Sequence, residues 1–162
     1  MQVRCEMCNS EFDLPRYKGM QHSPMVCSID CFKDYLDERK NPKILDKLFD
    51  TKRKKKKYSN VEIFENFTDG EFRSKIEQDF CTFLTENSIK WDFEKYSFMV
   101  RKKMYLPDLF LPDYGIFIEL KDKIWESGAY TKFKLFASYI PLILVTRELL
   151  SIWRKHAQNK SN

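Results

Sequence analysis

The chain has 162 residues, 43% of them hydrophobic and 15% aromatic, with only four Gly and six Pro. That suffices for one compact domain of roughly 100 to 150 residues plus a small appendage, and it excludes a large multidomain enzyme, a low-complexity protein and a wholly disordered tail. Lys and Arg number 29 against 24 Asp and Glu, and the net charge of +5 suggests a polyanionic partner such as nucleic acid.

The first segment is marked by cysteines. No apolar run reaches the roughly 18 residues that a membrane span needs, and the N-terminus lacks the charged head and apolar stretch of a signal peptide, so the expected location is the cytosol. Thiols stay reduced there, and clustered cysteines are then better metal ligands than disulfide partners. Cys5 and Cys8 form a C-x2-C pair, and Cys27 and Cys31 a C-x3-C pair. Two such pairs, separated by about 15 to 20 residues, can converge on a tetrahedral Zn²⁺. Ser28 suits the N-cap of a helix that carries Cys27 and Cys31 on one face. The pattern predicts a treble-clef-like zinc finger over residues 1–40. Cys81 is left over and predicted to be a core residue. His22 lies between the pairs, but four thiolates already fill the shell.

Residues 41–60 read as a linker. Asn41 and Pro42 end the first helix, and a short amphipathic piece carrying Ile44, Leu45, Leu48 and Phe49 follows. Six basic residues then stand in a row: Lys52, Arg53, Lys54, Lys55, Lys56 and Lys57. This run alone outweighs the net charge of the whole chain, so the remainder is close to neutral. A block of like charges is usually solvated, and its expected role is to track DNA phosphates.

Residues 61–162 are predicted to form a mixed α/β domain in the order α-β-β-β-α-β-α. Thr68 and Glu71 fit a capping box and Phe67 and Phe72 a hydrophobic staple, which starts a helix near Asp69 and runs it to Glu86. Its apolar stripe is Phe72, Ile76, Phe80, Phe83 and Leu84, with Glu77 at the stripe's edge. Alternation predicts a strand pattern over residues 89–94, followed by 96–100 and the basic triplet Arg101, Lys102 and Lys103, and then two further strands over 105–111 and 114–121. On the last of these strands Ile116, Ile118 and Leu120 share one face, and Phe117, Glu119 and Lys121 the other. A helix over residues 132–139, an apolar strand over 141–146 and a helix over 147–156 complete the order.

The chemistry is carried by Asp108, which follows Pro107 on one strand, and by Glu119 and Lys121, which end the next. This is the P-D and E-x-K arrangement of metal-dependent nucleases. Two carboxylates on adjacent strands supply hard oxygen ligands for Mg²⁺ or Mn²⁺, with the Leu120 carbonyl as a further ligand. Such an ion neutralises charge on a scissile phosphate and lowers the pKa of a bound water, while Lys121 orients that water or stabilises the transition state. Glu77, reaching in from the helix, is a candidate ligand to the same or a second ion.

Arg73, Ser74 and Glu77 at a helix start, Pro107, Asp108, Leu111 and Pro112, Glu119 and Lys121, and then Trp125, Glu126 and Ser127 occur in an order and spacing that resemble the phage endonuclease I family. Those enzymes are Holliday-junction resolvases of the restriction-endonuclease-like fold, and the likeness covers roughly residues 70–135. It implies catalytic acids at Glu77, Asp108 and Glu119, a catalytic lysine at Lys121, and a homodimer in which the helix acid comes from the other subunit. The four-cysteine segment and basic run depart from that family and resemble the modular build of homing endonucleases. The expected class is therefore α/β, with a restriction-endonuclease-like core behind a zinc finger. The expected activity is site-specific, homing-type cleavage of double-stranded DNA, with resolution of branched DNA as the alternative. A finger protein with an inactive core is a third reading, against which the intact acids and lysine argue. Expected DNA contacts are Arg53, Lys54, Lys55, Lys56, Lys57, Arg101, Lys102 and Lys103.

Overall fold

A computed structural model describes residues 1–50, 60–67, 71–122, 125 and 127–160. The chain is mixed α/β. Strands β1 (Gln2–Arg4) and β2 (Glu11–Asp13) form a small antiparallel ribbon, followed by helices α1 (Ile29–Arg39) and α2 (Ile44–Phe49). Then come β3 (Glu62–Glu65), α3 (Lys75–Glu86), β4 (Asp92–Phe93), β5 (Tyr96–Val100), β6 (Lys103–Tyr105), β7 (Leu109–Leu111) and β8 (Ile116–Lys121). Helix α4 (Ser127–Ala137), β9 (Leu142–Thr146) and α5 (Arg147–Lys160) complete the order. No helix among the described residues is long and apolar enough to cross a membrane.

The central sheet has the order β4-β7-β8-β9, antiparallel except for the parallel β8–β9 pair that the α4 crossover makes possible. A second antiparallel sheet, β3-β5-β6, stands beside it. The predicted alternation along β8 holds. Ile116, Ile118 and Leu120 pack under α3 and α5, whereas Phe117 faces the second sheet and Phe133 and Phe136 of α4. Both faces of the central sheet are thus covered, which is why all of β9 is buried.

Several local expectations are corrected. Helix α3 starts at Lys75, not near Asp69, and its capping box is Ser74 with Glu77. Glu71 is not helical, and Thr68 lies outside the described residues. Phe67 is fully exposed and staples nothing, while Phe72 packs edge-on against Phe93. The alternation over 89–94 yields only Asp92–Phe93, because Ser88 and Glu94 have left-handed backbones that turn the chain at either end. The strand expected over 105–111 is broken at Pro107, so that β6 joins the second sheet and β7 the central one. Proline has no N–H to give a ladder. Helix α4 begins at Ser127, earlier than residue 132.

The four-cysteine segment shares its core with the C-terminal helix. Phe32 of α1 stacks on Trp153 of α5 with centroids 4.4 Å apart, and the Trp153 indole N–H donates to the Val26 carbonyl at 2.8 Å. Residues 41–50, expected as linker, carry α2, whose Ile44 and Leu48 are buried against Tyr96 and Phe98. The Asn41 N–H donates to the Tyr114 carbonyl at 2.7 Å. Gly115 has φ 68°, and a Cβ there would lie 1.9 Å from the Asn41 carbonyl oxygen, so only glycine lets these two backbones meet. The basic run from Lys52 to Lys57, with Arg53, Lys54, Lys55 and Lys56 inside it, lies outside the described residues.

Candidate functional site

The cysteines meet as their spacing predicts. Cys5 and Cys8 sit in the turn between β1 and β2, where the Cys5 N–H donates to the Ser10 carbonyl at 2.8 Å and Asn9 takes a left-handed φ of 62°. Cys27 precedes the Ser28 N-cap, whose Oγ accepts from the Cys31 N–H at 3.2 Å, and Cys31 is in the first turn of α1. All four sulfurs lie within 4.8 Å of one another, with Cys8–Cys27 at 3.5 Å and Cys27–Cys31 at 3.9 Å. A tetrahedral Zn²⁺ with bonds of about 2.3 Å holds its sulfurs about 3.8 Å apart, so these separations fit one ion. Burial and the neighbouring thiols push Cys27 and Cys31 upward, whereas hydrogen bonds with Ser10 hold Cys8 at about 6. A cation at the centre removes the penalty of charging the first two. His22 lies against Phe133 and outside this group, and Cys81 is buried in the core, as predicted.

The second site lies at one end of the central sheet. The β7–β8 register pairs Phe110 with Phe117 and Leu109 with Ile118, which brings Asp108, immediately before β7, to the end of β8 beside Glu119 and Leu120. By the period-two rule Glu119 and Lys121 project on the face of Phe117, at the end of β8. The Leu120 N–H donates to Asp108 Oδ2 at 2.6 Å. Tyr105 Oη donates to Glu119 Oε2 at 2.6 Å, and Lys121 Nζ meets Glu119 Oε1 at 2.9 Å. Glu119 is only 7% exposed. Leu120 turns its side chain into the core, and its N–H is the group directed at the acids.

Glu77 is buried, and its Oε2 accepts the N–H groups of Arg73 at 2.7 Å and Ser74 at 3.3 Å. It therefore serves the helix N-terminus as well as facing Asp108. Burial, then Glu119, and more weakly Glu77, raise the Asp108 carboxyl from its ordinary 3.8 to about 8, against the Leu120 N–H and Lys121, which lower it. Tyr105 is raised by burial and by Glu119, so it remains a proton donor to that acid. Glu119 pairs with the Lys121 ammonium, and Glu119 and Glu77 both act on Asp108, so among the described residues the group keeps an excess of negative charge that a divalent cation would balance. Their oxygens are the hard donors that Mg²⁺ or Mn²⁺ takes.

Sequence reasoning missed two neighbours. Tyr105 is one. The other is Glu94, whose N–H donates to the Asp108 carbonyl at 2.9 Å and whose buried carboxylate pairs with Arg73. Its place directly after β4 follows only from the β4–β7 register, which no local pattern announces. Arg101 and Lys102 form a two-residue turn joining β5 to β6, both with positive φ, and together with Lys103 they are exposed at its tip, away from this acid group along the second sheet. Glu126 of the tryptophan motif lies outside the described residues.

Comparison with protein-family models, with curated proteins and with solved structures finds no match to this chain.

Proposed function

We propose that the protein is a metal-dependent DNA endonuclease that hydrolyses phosphodiester bonds, with a restriction-endonuclease-like core built on α3, β4, β7, β8, α4 and β9. The observation that carries this reading is the meeting of Asp108, immediately before β7, with Glu119 and Lys121 at the end of β8, with Glu77 close enough to act on Asp108. Asp108, Glu119 and the free oxygen of Glu77 would hold Mg²⁺ or Mn²⁺, with the Leu120 carbonyl as a further ligand. The bound ion would supply charge neutralisation and an acidified water.

The chain's own groups do the rest. The Leu120 N–H fixes Asp108, Tyr105 fixes one oxygen of Glu119, and Lys121 is placed to hold a water or a phosphate oxygen. Glu77 acts on Asp108 within the chain, and a homodimer would bring two such sites for a double-strand break. Zn²⁺ on Cys5, Cys8, Cys27 and Cys31 is structural in this reading. The four-cysteine segment and the basic run, which add to a bare nuclease core, favour site-specific, homing-type cleavage in the cytosol of a bacterial or phage-infected cell, even though the segment packs into the shared core.

Incubation with plasmid DNA and Mg²⁺ tests the reading. Nicks or breaks are expected from the parent and none from Asp108→Ala. Intact plasmid with the parent, or equal cutting by both, overturns it. Cutting of a four-way junction of arbitrary sequence with linear duplex left intact would replace the homing reading with junction resolution.

A further inference from the structure

A cavity of about 290 Å³ opens beside the acid group, and Lys121 belongs to both. One wall comes from the ends of β8 and β9 and the start of α5, with Asp122, Trp125, Thr146 and Glu148. The other wall comes from the four-cysteine segment, as Arg16, Tyr17 and Lys18. Next to it, Gly19 fits so closely that a Cβ would lie 3.0 Å from Leu144 and 3.1 Å from Tyr130. Tyr17 is sunk into this seam, and its hydroxyl is buried without a hydrogen-bond partner among the described residues.

The charges in this cavity are uneven. Asp122 is bound by Arg147, which also bonds Asp79 at 3.1 Å, so that carboxylate is neutralised. Lys121 is likewise paired with Glu119, so among the described lining residues Glu148 stands against Arg16 and Lys18. Lys121 Nζ lies 4.7 Å from the Trp125 ring centroid and Lys18 Nζ 5.1 Å from that of Tyr130, so aromatic faces help to orient both ammonium groups. Arg16 and Lys18 are both exposed, which leaves their charges available to a ligand. A small, open, cationic space with aromatic walls suits a phosphodiester with its sugar and is too small for a large organic cofactor.

We infer that the loop of residues 16–18 forms one wall of the DNA-binding cleft, and that Arg16 and Lys18 hold a backbone phosphate next to the one being cut. The inference rests on the nuclease reading and gives the four-cysteine segment a second role: it builds part of the substrate site. Arg16 and Lys18 are binding residues in this scheme, and Tyr17 and Gly19 keep their loop seated on the catalytic sheet.

The test is the double variant Arg16→Ala/Lys18→Ala in the full chain. Its melting temperature and zinc content should match the parent, since both side chains are exposed. Its KM for duplex cleavage should rise about tenfold with kcat little changed, and the log–log dependence of duplex binding on salt should flatten by roughly two counterions. Arg16→Lys should restore the slope. Neutral methylphosphonates placed beside the cut should weaken binding by the parent and add nothing to the double variant, which separates a backbone phosphate from adventitious capture of free phosphate. A double variant with the parent's KM and salt slope overturns the inference and leaves the nuclease reading standing. If the parent binds DNA but does not cut it, the nuclease reading fails, while the salt slope still decides the role of the loop. A parent that does not bind DNA overturns both.

Discussion

Replacing Asp108 by Asn should stabilise the metal-free protein while abolishing its response to Mg²⁺. Asparagine keeps an acceptor for the Leu120 N–H, bonded at 2.6 Å in the parent, and removes the charge that Glu119 and burial oppose. The folded carboxyl titrates near 8 against an ordinary 3.8. Between those pH values the native state holds a proton that the unfolded chain has released, so the parent loses stability as pH rises through this window. Taken at face value the displacement corresponds to a ceiling of about 6 kcal/mol. Asp108 keeps some exposure and a neighbouring ammonium, so a gain of about 1–3 kcal/mol above pH 8, or roughly 3–10 °C in melting temperature, is the working figure. The gain should have nearly vanished by pH 4, close to the ordinary carboxyl value of 3.8, where the unfolded chain is only partly ionised. Thermal denaturation from pH 4 to 9 without added divalent cation measures it, and a second series with Mg²⁺ should raise the parent's midpoint alone. A variant less stable than the parent at pH 8, or a difference that does not depend on pH, would refute the reasoning.

Two further outcomes concern the scaffold. Cys27→Ser should lower zinc content, read by mass spectrometry. It should also lower the melting temperature of the whole chain rather than of one segment, because Val26, Phe32 and Trp153 tie the segment into the shared core; unchanged metal content would remove the site. Gly115→Ala should cost about 2–4 kcal/mol in denaturant unfolding, since it combines an unfavourable positive φ with a Cβ 1.9 Å from a backbone oxygen. A loss under about 0.5 kcal/mol would show that the contact with Asn41 relaxes freely.

Asp108, Glu119 and Lys121 were legible as neighbours because they flank one hairpin, where a turn between two strands decides which residues meet, whereas Glu77 and Tyr105 come from elements outside it. The cysteine group was legible for a similar reason, since a tight turn and a capped helix fix each pair locally. Where two local patterns compete, the sequence misleads. Thr68 with Glu71 and Ser74 with Glu77 have the same capping-box spacing, and the helix uses the second. Strand β3 went unseen because it is an edge strand with no fully buried position, so no alternation marks it. Contacts such as Trp153 to Val26, 127 positions apart, have no periodic signature at all. For the same reason the cavity between residues 16–18 and Lys121 could not be read from either segment alone.

The stacking of Phe32 on Trp153 also bears on the order in which the chain acquires its structure. During synthesis α1 emerges long before α5, and its apolar face, with Phe32 and Leu36, has no lasting cover until residue 153 is available. Closure between such distant segments is slow, because the loop entropy is lost before the contact forms. The lid of this core is therefore among the last pieces to arrive, and the wall that residues 16–18 raise beside Lys121 can settle only in a nearly finished molecule.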